Sequence, residues 1–195
     1  MSWRPALGLL CLAFAVFGAA WLEASMLRHM LLQLPLLLAA GSLLASAPLL
    51  YWSRIVRIDQ HGISGLTALL MVSAYWMIPR ALELSLAHRG YAVAKFASML
   101  VVGWWLPGAL RRAHVVVQVF YLGNLSWMMA MAGLLYQDLP QRLCNAYLLD
   151  DQEQTGRALV LAALLIGGCC LCRLRAAQST ATGTCVAPVD ISDPG

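Results

Sequence analysis

The sequence predicts an all-α, polytopic membrane bundle of about six transmembrane helices. Three observations lead there. The composition, 61% hydrophobic and 11% charged with a mean hydropathy of +0.73, leaves too little polar surface to solvate a 195-residue globule. Six apolar stretches are separated by short segments that carry nearly all the charge, each near the roughly 20 residues a helix needs to cross about 30 Å of hydrocarbon. Unpaired backbone amides are not tolerated in lipid, and these stretches lack the alternating pattern of barrel strands, so helices are the remaining solution.

The first span is expected over Ala6–Leu22, flanked by Trp3 and Trp21 as interfacial anchors. Arg4 ahead of it and Gly18, Ala19 and Ala20 near its end also fit a signal peptide. The run is longer than the usual signal core and reads as a membrane helix. The second and third spans are Met30–Trp52 and Ile63–Pro79, followed by an amphipathic stretch over 80–92 in which Leu82, Leu84, Leu86 and Tyr91 alternate with charges. The fourth and fifth are Val93–Leu110 and Val115–Tyr136. A polar segment over 137–157 contains Pro140 as a break, and the sixth span is Ala158–Leu174. Residues 1–175 therefore form the transmembrane domain. Residues 176–195, rich in Ser, Thr, Gly and Pro, read as a disordered cytoplasmic tail.

Basic residues divide almost evenly between the two sides, Lys95 being counted with Arg28, Arg80 and Arg89 at the outer loops. The pairs Arg54/Arg57 and Arg111/Arg112 in short loops favour a cytoplasmic location for both termini, in the cell inner (plasma) membrane. Glu23, Glu83, Asp138, Asp150, Asp151 and Glu153 then face outward.

The most suggestive chemistry is Met26, His29 and Met30 at the outer end of the second span. On a helix, residues three and four apart share a face, and thioethers with an imidazole make a soft ligand set suited to Cu(I). Met77, Met99, Met128, Met129 and Met131 map to the same outer half, where adaptable packing is the competing explanation. Gln33 and Asn124 are intramembrane polar groups that would line a site beside His29 if the second and fifth spans were neighbours. Gly41, Gly103, Gly123 and Gly133 read as close-packing positions. Asp150 and Glu153 have capping-box spacing, and Asp150, Asp151 and Glu153 together could instead offer carboxylates to a hard cation. Cys169, Cys170 and Cys172 form a CCLC cluster that reads mainly as small apolar helix residues.

His29-Met30-Leu31-Leu32-Gln33, running on into an apolar stretch that ends at Gly41, resembles the early helix of the CtaG-like membrane proteins associated with cytochrome c oxidase assembly. Asp151-Gln152 followed by Gly156 is similar to that family's Asp-Gln step before its last span. The resemblance implies a role in providing copper to a respiratory oxidase, with His29, Met30, Asp151 and Gln152 as site residues. This chain departs from the family in carrying Gln33 where a second histidine is common, and in being short.

The expected function is thus a membrane accessory factor handling Cu(I), its partners the lipid bilayer and an oxidase subunit, with no nucleic acid. A redox protein holding b-type haem or quinone through His29 and His88 is the alternative. His61 and His114 make a weaker pair in the inner loops. No charge is expected near the middle of a span, which disfavours an ion-coupled carrier. No phosphate loop, nucleophile elbow or His-Glu-x-x-His motif is present, so the chain does not read as an enzyme.

Overall fold

The computed structural model describes residues 3–45, 59–139, 143 and 146–183. Among them all regular structure is helical. The elements are α1 (Trp3–Phe17), α2 (Ala19–Leu22), α3 (Met26–Leu44), α4 (Ile63–Trp76), α5 (Pro79–Ala87), α6 (Arg89–Arg112), α7 (Val115–Asp138) and α8 (Leu149–Gly183). Four of them, α3, α6, α7 and the Leu149–Ala176 portion of α8, are long and apolar enough to cross a membrane. A fifth crossing is available if α4 and α5, bent by 75° at their junction, act as one span. α1 is apolar but shorter.

Several boundaries differ from the expected ones. α3 begins at Met26 because a carboxylate from α8 caps it, as described below. Its expected continuation to Trp52 and the Arg54/Arg57 pair lie outside the described residues, as do Pro140, Cys144 and Cys185. The 80–92 stretch divides into α5, which buries Ala81, Leu82 and Ser85, and the start of α6. Pro79 occupies the first turn of α5, where its missing N–H costs nothing. α8 starts at Leu149, nine residues before the expected Ala158, so Asp150 lies inside its first turn and not at a capping-box N-cap. Its C-terminal part continues through 176–183 of the expected tail, and 184–195 lie outside the described residues.

α3 is central, packing on α1, α6 and the start of α8, while α7 lies along α8 and α4 bridges α6 and α7. Small residues set the closest crossings. A Cβ on Gly41 would fall 2.4 Å from the Leu100 carbonyl oxygen, and one on Gly103 2.4 Å from that of Leu38, so α3 and α6 meet backbone to backbone. Gly133 and Gly156 do the same for α7 and α8, each meeting the other's carbonyl at 2.6 Å. Gly123 has open space around it and is not a packing position.

At the end of the bundle away from Met26, Asp59 is buried and fixes the entry to α4. Its carboxylate accepts from Ser64 N (3.0 Å), Trp105 Nε1 (2.9 Å) and Arg112 Nη2 (3.0 Å), and Arg112 Nε donates to its carbonyl (2.6 Å). Gly62, at φ 72°, must be glycine both for that left-handed backbone and because a Cβ there would fall 2.2 Å from the Ala109 carbonyl oxygen of α6.

Candidate functional site

α3 opens on an irregularity with a local cause. Pro35 has no N–H to return to the carbonyl four residues earlier, and its ring crowds that carbonyl. The preceding residues His29–Gln33 form a π-turn, which widens the helix by one residue before the α pattern resumes at Leu34. His29 and Gln33, at the two ends of this turn, are both fully buried and hydrogen-bond the same atom.

That atom is Nζ of Lys95, which projects from α6 and is itself 0% exposed. It donates to Glu23 Oε1 (2.7 Å), His29 Nε2 (2.7 Å) and Gln33 Oε1 (2.9 Å), using all three ammonium hydrogens. Gln33 Nε2 donates in turn to Glu23 Oε1 (3.1 Å). On its other edge the His29 ring meets Tyr147, Nδ1 lying 2.9 Å from the hydroxyl, and Tyr147 donates that hydroxyl's proton to the Glu23 carbonyl (2.9 Å). The network assigns the tautomer: Lys95 has only donors, so Nε2 accepts, and the Nδ1–H donates to Tyr147.

Glu23, just past α2, is the counter-charge. Burial works to raise its carboxyl, but hydrogen bonds from Lys95 and Gln33 and the Lys95 charge outweigh burial and hold it below its ordinary value. Glu23 is only partly buried, but removing it would leave the fully buried Lys95 ammonium without its counter-charge.

The second motif segment arrives from α8. Asp151 accepts from Ser25 Oγ (2.7 Å) and Met26 N (2.6 Å), so it caps α3 and not its own helix. Gln152 is buried, donating to the Tyr136 carbonyl (3.1 Å) and accepting from Leu143 N (2.9 Å). Asp150 and Glu153 stay exposed, Glu153 pairing with Arg157 at 2.5 Å. Met26 and Met30 are buried in a cluster with Leu82, Tyr136, Tyr147 and Leu159, against which Met77 and Met129 also pack. Tyr136 crosses the cluster to bond the Met77 carbonyl.

Of the residues picked from sequence, His29, Met26, Met30, Gln33, Asp151 and Gln152 therefore gather at one end of the bundle. Asn124 does not, being exposed on α7. His88 is exposed at the α5–α6 junction with its ring 6.2 Å from Tyr91, and no contact joins it to His29 among the described residues. His61 and His114 are exposed, His114 capping α7 through Val116 N at 3.4 Å. Cys169 and Cys172 are exposed and Cys170 is buried. No three His, Cys, Asp or Glu side chains converge on a metal-sized point among the described residues; Met26 and Met30 share a hydrophobic cluster against which Met77 and Met129 pack.

Lys95 was not expected here. Counted from sequence with the outer-loop basic residues, it is a buried charge within a span-length helix. A signal was present: it is the sole lysine in a chain whose other 12 basic residues are arginines. A compact ammonium with three donors fits a three-way apex that the planar guanidinium fork does not. The chain matches no known family model, and comparison with curated proteins and with solved structures likewise finds no match.

Proposed function

We propose that this chain is a six-helix accessory factor of the CtaG-like kind that handles Cu(I) for assembly of a respiratory oxidase. In this reading it lies in the cell inner membrane with both termini cytoplasmic. α1 and the α4–α5 pair complete six crossings, and the His29 cluster faces outward. The observation that carries the reading is the meeting of the two motif segments: Asp151 of α8 caps α3 three residues before His29, although the two segments are separated by most of the chain. The thioethers of Met26, Met30, Met77 and Met129 gather on the same side, the soft donor set that a Cu(I) cargo requires. His29 would contribute Nε2 once Lys95, which bonds it at 2.7 Å, gives way, and its Nδ1–H is oriented by Tyr147.

The test is anaerobic reconstitution of the detergent-purified chain with Cu(I), followed by metal analysis and an optical spectrum. Near-stoichiometric copper is expected, falling in His29→Ala and in the pair Met26→Leu with Met30→Leu. Copper uptake indifferent to all three residues would sink the reading, and a haem Soret band in the purified protein would replace it with the haem alternative.

A further inference from the structure

We infer that the groove between α7 and α8 binds a phospholipid with a net negative headgroup, one acyl chain lying in the groove and the phosphate held by Arg173 at its mouth. None of its residues belongs to the His29 cluster, so the site stands apart from the copper reading.

The groove, of about 300 Å³, is lined by Leu122 of α7 and by Leu165, Ile166, Cys169, Cys170 and Arg173 of α8. Spacings of four residues put Leu165, Cys169 and Arg173 on one face of the helix. At 1.5 Å per residue that stripe runs about 12 Å, apolar along its length and ending in a guanidinium. Arg173 stands three residues before the end of the membrane-length stretch Leu149–Ala176, and Arg111 and Arg112 close α6 nearby. This is the depth at which a lipid changes from acyl chain to headgroup.

Arg173 is positioned by a chain of neutral groups. Its Nη1 donates to Gln118 Oε1 (2.7 Å), and the buried Gln118 donates from Nε2 to the carbonyls of Leu110 (2.8 Å) and Ala113 (2.9 Å) at the C-terminal end of α6. Those two donations fix the direction of the amide, leaving its oxygen for α8. The guanidinium is therefore anchored through one of its five N–H groups while its charge stays uncompensated. Other arginines differ: Arg80 pairs with Glu83, Arg112 with Asp59 and Arg157 with Glu153. Among the described residues no carboxylate pairs with Arg173, and residues 89–137 and 154–189 contain no Asp or Glu.

Phosphate is the complement of such a group, since it accepts the planar fork in two parallel bonds. Arg111 and Arg175, both exposed, add positive charge at this end. They favour a net negative headgroup over a zwitterionic one, whose ammonium they repel. Basic pockets between membrane helices hold acidic headgroups on this principle.

The test is native mass spectrometry of the full detergent-purified chain, titrated with phosphatidylglycerol or with phosphatidylcholine of the same acyl chains, for wild type, Arg173→Gln, Cys169→Trp and Arg157→Gln. Wild type should retain phosphatidylglycerol about fivefold better than phosphatidylcholine, and Arg173→Gln should lose about that factor. Cys169→Trp fills the groove from an exposed position with every charge in place, and should also lose binding. Arg157→Gln removes an equal charge toward the other end of α8 and should leave binding unchanged. Equal retention of the two lipids, equal losses in Arg157→Gln and Arg173→Gln, or full binding in Cys169→Trp overturns the inference. Glycerol phosphate competing as well as the intact lipid would make this a phosphate site without an acyl chain, and overturns it too. Should Arg173→Gln fail to fold, the headgroup preference of wild type and the response of Cys169→Trp decide by the same criteria.

Discussion

At the scale of single residues, Tyr147 joins two parts of the cluster that are otherwise unconnected: it accepts from the His29 ring and donates to the Glu23 backbone. Tyr147→Phe leaves both groups buried without that partner and should cost about 1–3 kcal/mol, read as a lower thermal midpoint in detergent. Glu23 brings a pH dependence whose sign is set by its lowered folded-state value. Its contribution to stability is fully present above the ordinary carboxylate range and is lost as pH falls through the folded value. Thermal midpoints should therefore decline on acidification, and Glu23→Gln should flatten that decline; an equal slope in both proteins would refute the assignment. His29 and its methionines were legible in the sequence because soft ligands and an ionisable residue at a span edge stand out against leucine and alanine. Lys95 was not, because a lysine at the third residue of an expected span, Val93–Leu110, normally extends its ammonium to the interface. Only the position of Glu23, which sequence spacing does not reveal, turns it inward.

At the scale of elements, the π-turn of α3 and the glycine crossings fix where these side chains stand. Pro35→Ala restores the missing N–H and allows the widened turn to close into regular α-helix. A one-residue change of register rotates a helix by about 100°, so His29 and Gln33 would no longer both face Lys95. The expected outcome is unchanged helicity by circular dichroism with loss of His29-dependent copper binding. The α3–α6 crossing makes a paired prediction. Gly103→Leu drives a side chain into the Leu38 carbonyl and should cost more than about 3 kcal/mol. Gly123→Leu, in open space, should stay within about 0.5 kcal/mol. Similar losses at both positions in an unfolding assay would argue against this helix pairing. Apolar run length located the long helices, but several of their ends were misplaced. Helix ends at a membrane surface are set by tertiary caps, and the cap on α3 comes from Asp151, 125 residues away.

At the scale of the whole molecule, the arrangement predicts which surfaces a membrane-impermeant thiol reagent reaches. In the proposed orientation, an Ala146→Cys variant beside the Tyr147 cleft should label from outside intact cells, whereas Cys172, exposed at the opposite end of α8, should be protected. The opposite pattern would turn the His29 cluster toward the cytoplasm and end the proposed role in delivering an ion on the outer face. The all-helical class followed from composition, the length of the apolar runs and their lack of strand-like alternation. The assembly of one site from α2, α3, α6 and α8 did not, because spacing within a helix says nothing about which helices become neighbours. The solitary lysine has a practical consequence at this scale. Apart from any terminal amine, an amine-selective reagent has one target in the entire chain, and it is sealed. The rate at which that target reacts is a clock for the opening of the bundle's interior, readable by mass spectrometry in native membranes without introducing any label.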